Sequence, residues 1–252
     1  MEVRTARRWR WRWLLLVPVA LICLALAGFL IWAETPLGPM PEAVAALRSD
    51  GKVVVERDEY VVFRPAEGRP RVGLIFYPGA RIDPVSYAPP MRALAEQGYL
   101  AVIVPMPLNL AVFGSNRAAD VIARNPQVRR WVVGGHSLGG AMAARFVASQ
   151  PNAVLGLALW AAYPSAGDDL SKSALAVAGV SATNDGLTTT ADVDRSKALL
   201  PKDTAFVTID GGNHAQFGWY GPQRGDGTAT ISREDQQAQT VAATLNLLRR
   251  LE

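Results

Sequence analysis

A chain of 252 residues, half of them hydrophobic, can bury one full core, and its 26 basic against 22 acidic residues give a formal net charge of +4. The excess is local: Arg4, Arg7, Arg8, Arg10 and Arg12 precede the first apolar run with only Glu2 to offset them, and the remainder is balanced. A basic tail of this kind marks a membrane flank and gives no support for a nucleic-acid-binding surface.

Residues 1–13 form that tail, and residues 14–33 carry an uncharged run from Leu14 to Trp32. At about 1.5 Å per residue the run spans roughly the hydrocarbon core of a bilayer. Trp9, Trp11 and Trp13 on one side and Trp32 on the other stand where amphipathic rings prefer the two interfaces. Because the arginines lie only on the N-terminal side, the N-terminus is expected in the cytoplasm and the rest outside. The alternative is a cleaved signal peptide, with Ala25 and Ala27 as the processing pair, but the apolar run continues past Ala27 to Trp32. Cys23, the only cysteine, is preceded by Leu21 and Ile22 and so does not fit a lipoprotein site, and it excludes an intrachain disulfide or a cysteine metal cluster. Pro36, Pro39 and Pro41 forbid helix continuation, so residues 34–41 are expected as a stiff spacer before a domain over 42–252.

Val53 to Val55 and Tyr60 to Phe63 are short β-prone runs that suit an antiparallel hairpin. Arg71 to Tyr77 is a stronger apolar run ending at Pro78-Gly79, Tyr87 to Gln97 has helical spacing, and Leu100 to Val104 is apolar again. The unit repeats with a helix at Ala118 to Arg124, a strand at Trp131 to Val133, a helix from Leu138 to Ala148 and a strand at Val154 to Leu159. Further strands are expected at Leu175 to Val180 and Ala205 to Ile209, with a closing helix from Ser232 to Leu251. Strands apolar on both faces, alternating with helices, imply a mostly parallel sheet covered on both sides.

Gly135-His-Ser-Leu-Gly139 is the pattern of a nucleophile elbow, a tight strand-to-helix turn that exposes a serine while glycines let neighbouring backbone pass. An apolar strand before it and a helical stretch after it supply the context the motif needs. Ser137 is therefore the candidate nucleophile, against the alternative of a serine that merely caps the helix. A serine hydroxyl needs a base, and of the two histidines His136 is too close in sequence to serve. His214 follows the last strand and is the candidate base, with His136 as a support.

Seven aspartates lie between Ser137 and His214. Asp185, in a turn just after a strand, is the preferred acid; Asp168 and Asp169, after the preceding strand, are the rivals. The oxyanion that forms in acyl transfer needs two donors, placed at the N–H of Leu138 and at the loop Gly79-Ala80-Arg81, where Ala80 is favoured. Tyr163, Phe217 and Trp219 are candidates to line the substrate cleft. No GxxxxGK phosphate loop occurs, and two histidines without a ligand pattern point to neither a metal nor another cofactor.

Taken together, Tyr77-Pro-Gly-Ala80, Asp83-Pro84, Tyr87, Gly134-Gly-His-Ser-Leu-Gly-Gly140, Thr183-Asn-Asp-Gly-Leu187 and Gly212-Asn-His-Ala-Gln-Phe-Gly-Trp-Tyr-Gly221 resemble a bacterial, membrane-anchored group of α/β hydrolases. That group is similar to, but distinct from, dienelactone hydrolases. The resemblance covers about Val53 to the C-terminus and implies the α/β-hydrolase fold with a Ser137, Asp185, His214 triad. Dienelactone hydrolases proper use a cysteine nucleophile where this chain has Ser137. The expected activity is hydrolysis of a small-molecule carboxylic ester with a small acyl group. Thioester or amide hydrolysis and acyl transfer would use the same residues, and a non-catalytic tethered binding protein is the competing class. Residues 161–173 are too few for a covering lid domain, so an open pocket is expected.

Overall fold

The computed structural model describes residues 3–252, with side chains from residue 16 onward. The expected interfacial placement of Trp9, Trp11 and Trp13 and the arginine side chains of the tail lie outside what is described.

Eight strands form one sheet: β1 (Val53–Arg57), β2 (Val61–Pro65), β3 (Val72–Tyr77), β4 (Leu100–Ile103), β5 (Arg130–His136), β6 (Gly156–Trp160), β7 (Ala176–Ala182) and β8 (Ala205–Ile209), in the order β1-β2-β4-β3-β5-β6-β7-β8. β1 and β2 form an antiparallel hairpin, and from β4 to β8 all neighbours are parallel. Tyr77 pairs with Gly135, His136 with Trp160, and Trp160 with Val180, so the loops that follow these strands leave along one edge.

The alternation of β3 assigns the two faces. Leu74 and Phe76 join a core with α3 (Ala88–Glu96) and α7 (Arg233–Arg249), whereas Ile75 and Tyr77 join one with α4 (Ala118–Arg124) and α5 (Leu138–Ser149). Phe76 packs against Tyr87 and Trp160 with ring centroids 4.9 and 4.5 Å apart. A truncation in such a cluster typically costs about 3–5 kcal/mol, which makes it a firm floor for the loops above. The remaining helices are α1 (Val3–Ala33), α2 (Pro41–Ala45) and α6 (Thr190–Ser196), the last closed by a capping box between Thr189 and Asp192. Residues 161–175 contain neither helix nor strand, so the β6–β7 connection carries no lid domain.

Leu16–Ala33 in α1 has a mean hydropathy of 2.6 and is long and apolar enough to cross a membrane, a property a signal sequence shares. Its side chains stand exposed up to Trp32, and only Ala33 is buried.

One expectation is corrected. β5 does not stop at Val133 but continues through Gly134 and Gly135 to His136. Glycine carries little strand propensity, yet side chains cannot fit here: a Cβ on Gly134 would lie 2.6 Å from the Ala158 carbonyl oxygen. The segment after α1, expected as a stiff spacer, is bonded to the domain. Its prolines hold it extended, and the N–H groups of Leu37 and Met40 donate to the Arg81 and Trp219 carbonyls at 2.7 and 2.8 Å. Bridges pair Leu37 with Ile82 and Pro39 with Tyr220, laying the segment along the domain.

Candidate active site

Ser137 joins the end of β5 to the start of α5 with φ 53° and ψ −126°. That conformation costs a non-glycine residue about 1–3 kcal/mol and persists only where the surroundings impose it. Here they do. A Cβ on Gly139 would sit 2.2 Å from the Tyr77 carbonyl oxygen and 2.3 Å from that of Pro78. The first turn of α5 thus presses directly on the loop after β3, which is why the elbow needs glycine at this position. The Ser137 N–H donates to the Trp160 carbonyl at 2.9 Å, locking the turn to β6.

His214 opens a short 3-10 turn (Ala215–Phe217) beyond β8 and is fully buried. Its Nδ1 is 2.8 Å from Asp185 Oδ2, while Nε2 is buried without a hydrogen-bond partner. Asp185 Oδ1 accepts the N–H groups of Leu187 and Thr188 at 2.8 and 2.7 Å, so its carboxylate is fixed by its own loop. The rival acids lie elsewhere. Asp168 is buried with Oδ2 unpartnered, and Asp169 is exposed and accepts the Ser171 N–H at 2.8 Å, so neither meets His214.

His136 lies between the pieces. Its ring centroid is 4.4 Å from that of His214, and its Nδ1 is 2.8 Å from the Tyr87 hydroxyl. Tyr87 also accepts the Gly79 N–H at 3.0 Å, so its hydroxyl joins the loop after β3 to the His136 ring. Burial first, and the neighbouring His214 second, push the His136 imidazole well below its ordinary pKa, leaving it neutral. A neutral histidine with Nδ1 committed to a tyrosine is a spacer, consistent with a supporting role.

Of the three candidate donors in the loop after β3, two are spent. Gly79 donates to Tyr87, and the Arg81 N–H donates to the Asn109 carbonyl at 2.8 Å. The N–H groups of Ala80 and Leu138 have no acceptor among the described residues.

A cavity of about 250 Å³ opens beside Ser137, walled by Leu138, Ala141, Ala162, Tyr163 and Thr188. Tyr163 is 37 % exposed and stands on the wall of this cavity. Phe217 and Trp219 do not: Phe217 is fully buried and stacks on His136 at 5.6 Å, and Trp219 is buried with the Arg233 guanidinium 5.9 Å from its ring. Adjacency to His214 in sequence does not place these rings on the open side, because the 3-10 turn points them inward. Among the described residues no group of three or more His, Cys, Asp or Glu side chains stands where it could hold a metal ion.

Sequence reasoning missed the residues that hold these loops together. Asp226 accepts four backbone N–H groups, those of Gly186, His214, Ala215 and Gly227, at 3.3, 3.0, 2.8 and 2.8 Å. One carboxylate thereby ties the Asp185 loop to the His214 loop. Arg233 donates to the carbonyls of Ala215, Gly218 and Tyr220, and Gln236 brackets Asn213 with both ends of its amide. The available signal was the glycines: a Cβ on Gly227 would lie 2.0 Å from the Asn184 carbonyl oxygen, and one on Gly186 2.4 Å from that of Gly225.

The sequence matches the model of the alpha/beta hydrolase family over residues 73–238. None of the curated proteins matches it significantly. Among solved structures, the esterase domain of a Rhodothermus marinus protein is similar at 15 % identity with a TM-score of 0.59, covering 79 % of this chain and 98 % of that one. Esterase 2 of Thermogutta terrifontis, phosphorylated by paraoxon, is similar at 14 % identity with a TM-score of 0.57, covering 81 % and 95 %. At such identities the likeness is one of fold.

Removing the Asp226 carboxylate leaves several N–H groups short of an acceptor. Asp226→Ala should therefore lower the unfolding free energy of the full chain in detergent micelles by about 1–3 kcal/mol, read by denaturant titration. Asp210→Ala, whose carboxylate accepts the Thr183 hydroxyl at 3.1 Å, should cost less. Equal losses would reduce Asp226 to another solvated turn former.

Proposed function

The chain belongs to the alpha/beta hydrolase family, and from that premise we propose that it is a membrane-tethered serine esterase in which Ser137, His214 and Asp185 form a catalytic triad acting on carboxylic esters of small acyl groups. The observation that carries this reading is the buried contact of Asp185 Oδ2 with His214 Nδ1 at 2.8 Å, with Nε2 unpartnered, on the sheet edge that bears the strained Ser137.

In the first half-reaction Ser137 Oγ attacks the ester carbonyl carbon as His214 Nε2 takes the hydroxyl proton. Asp185 accepts the Nδ1 proton, which fixes the tautomer that leaves Nε2 basic and stabilises the imidazolium. The negative charge developing on the carbonyl oxygen falls to the N–H groups of Leu138 and Ala80, and the former lies in the first turn of α5, where the helix dipole favours an anion. Collapse of the tetrahedral species breaks the bond to the alcohol, which leaves with the proton from His214. Water then attacks the acyl-enzyme by the same route, releasing the acid and restoring Ser137.

The acyl group is small on this reading because the cavity beside Ser137, about 250 Å³, lies below the ~300–1,000 Å³ usual for drug-sized ligands. The β6–β7 connection adds no lid to enlarge it. The apolar α1 with its arginine flank is read as a single span with the N-terminus in the cytoplasm, residues 42–252 being the exported domain. The Thermogutta esterase is phosphorylated by paraoxon, and an organophosphate is expected to modify this chain at Ser137.

A fluorophosphonate probe should label the wild type at Ser137 and fail on Ser137→Ala. His214→Ala and Asp185→Asn should lower turnover by about three to four powers of ten, and His136→Ala by far less; a crippling His136→Ala would move the base. Hydrolysis of chromogenic acetate or butyrate should far exceed that of palmitate, with no jump at the substrate's solubility limit. A long-chain preference with such a jump would make residues 105–119 a lid. A phosphatase reporter fused after Glu252 should be active on the far side of the membrane, and activity confined to a cytoplasmic reporter would reverse the topology.

A further inference from the structure

The end of α1 is built into the loops that frame the candidate site. A helix leaves its last carbonyls without intrahelical partners, and here two loops supply the donors. Arg81 Nε donates to the Trp32 carbonyl and Nη2 to the Thr35 carbonyl, both at 2.6 Å, and Asn109 Nδ2 donates to the Ala33 carbonyl at 3.0 Å. The Arg81 guanidinium also lies 4.3 Å from the centre of the Trp32 ring, and a cation at a helix C-terminus complements the dipole. The chain beyond has little freedom to swivel: the Glu34 N–H returns to the Leu30 carbonyl, and Leu37 bonds through both its N–H and its carbonyl, to Arg81 and Asp83.

Arg81, Leu108 and Asn109 all hold positive φ, at 53°, 55° and 52°. Such non-glycine residues persist where packing over-determines them, and their clustering at this junction marks it as a fixed joint. Arg81 follows β3 and Asn109 follows β4, so both leave the sheet edge from which Ser137 emerges after β5. Arg81 is also the immediate neighbour of Ala80. Next to Asn109, the 3-10 turn Ala111–Phe113 presents Val112 and Phe113 to solvent, 48 and 55 % exposed.

We propose that the Arg81 and Asn109 joint holds the Ser137 edge face-on to the bilayer that α1 enters, with Val112 and Phe113 seated in the lipid interface, so that the site draws its esters from amphiphiles resident in the membrane. This rests on the serine-esterase reading for the substrate and on α1 being a retained span for the orientation. The committed partner is the lipid bilayer, because apolar α1 meets the turn Pro107–Asn109, and that turn meets Ala111–Phe113 with its exposed Val112 and Phe113. A short acyl group on a membrane-resident alcohol satisfies both the small cavity and this orientation. An aromatic and an aliphatic side chain at headgroup depth add apolar burial to the anchor.

The test uses the full chain with Cys23→Ser, reconstituted in phosphatidylcholine vesicles, with an environment-sensitive fluorophore on Phe113→Cys or, as a control just before β8 at the opposite edge, on Lys202→Cys. The emission at 113 should shift to that of a lipid environment while that at 202 stays aqueous. An aqueous signal at 113 overturns the orientation, whatever the enzyme hydrolyses. In parallel, the unlabelled chain is given one butyrate ester of a bilayer-resident alcohol and one of a water-soluble alcohol. Confinement with the enzyme should make the resident ester react about tenfold faster or more at equal bulk concentration. Equal rates, or no hydrolysis of either while a fluorophosphonate still labels Ser137, overturn the substrate class. Failure of that labelling as well would instead remove the esterase reading, and the two emission spectra would still decide the orientation.

Discussion

At Ser137 the chain passes from β5 into α5 at φ 53°, and the atoms pressing on that turn come within 2.2 to 2.7 Å of where any side chain on Gly135, Gly139 or Gly140 would begin. The elbow therefore exists only if β5 lies beside β3, with the carbonyls of Tyr77 and Pro78 against the first turn of α5. Once this contact is made, the loop at residues 78–81 has little choice of position. Its Gly79 N–H goes to Tyr87 and its Arg81 N–H to Asn109, which leaves the Ala80 N–H beside a helix start whose own N–H at Leu138 is unclaimed. The turn that raises Ser137 and the pair of unclaimed N–H groups thus follow from one close approach of backbone to backbone.

The candidate base, His214, is positioned by different means. His214 is reached through a loop that packs few aliphatic side chains of its own, and a buried loop must satisfy its backbone groups. Asp226, Arg233, Gln236 and Gln237 do so from the segment that follows. His136, kept neutral by burial and tied to Tyr87, fills the space between the acid-bound histidine and the Phe76 core. In the proposed triad, a charged group there would repel the imidazolium that His214 would become.

Elements defined by their own apolar pattern were legible in the sequence, and so was the elbow, because its signal is local. Scarcity singled out His214 and the turn after β7 singled out Asp185, and these two side chains meet at 2.8 Å. What was not legible depends on partners far along the chain. Gly134 and Gly135 look like strand breakers until the Ala158 carbonyl is placed beside the first and the Tyr77 carbonyl beside the second. Asp226 looks like a turn aspartate, since nothing local says that the N–H groups of residues 186, 214 and 215 will converge on it. α7 buries Gln236, Gln237, Thr240 and Thr244, which a search for a hydrophobic stripe passes over. Two of these residues bind the histidine loop and Thr244 accepts the Trp160 indole N–H at 3.1 Å, so their burial is explained by bonds rather than by hydrophobicity.

The proline-rich segment after α1 gains a different meaning from where it lies. Leu37 pairs with Ile82, in the loop that bears Ala80, and Pro39 pairs with Tyr220, in the loop that bears His214. Within three residues the segment crosses from one wall of the site to the other. A flexible tie would lose much of its effect to the entropy of ordering it. Proline at positions 36, 39 and 41 restricts the unfolded chain before any contact forms, so less freedom is lost when Leu37 and Met40 make their bonds. With no lid domain in the β6–β7 connection, the relative placement of the Ala80 loop and the His214 loop is held from the side. A short strap already extended by its own sequence does this while leaving the mouth open.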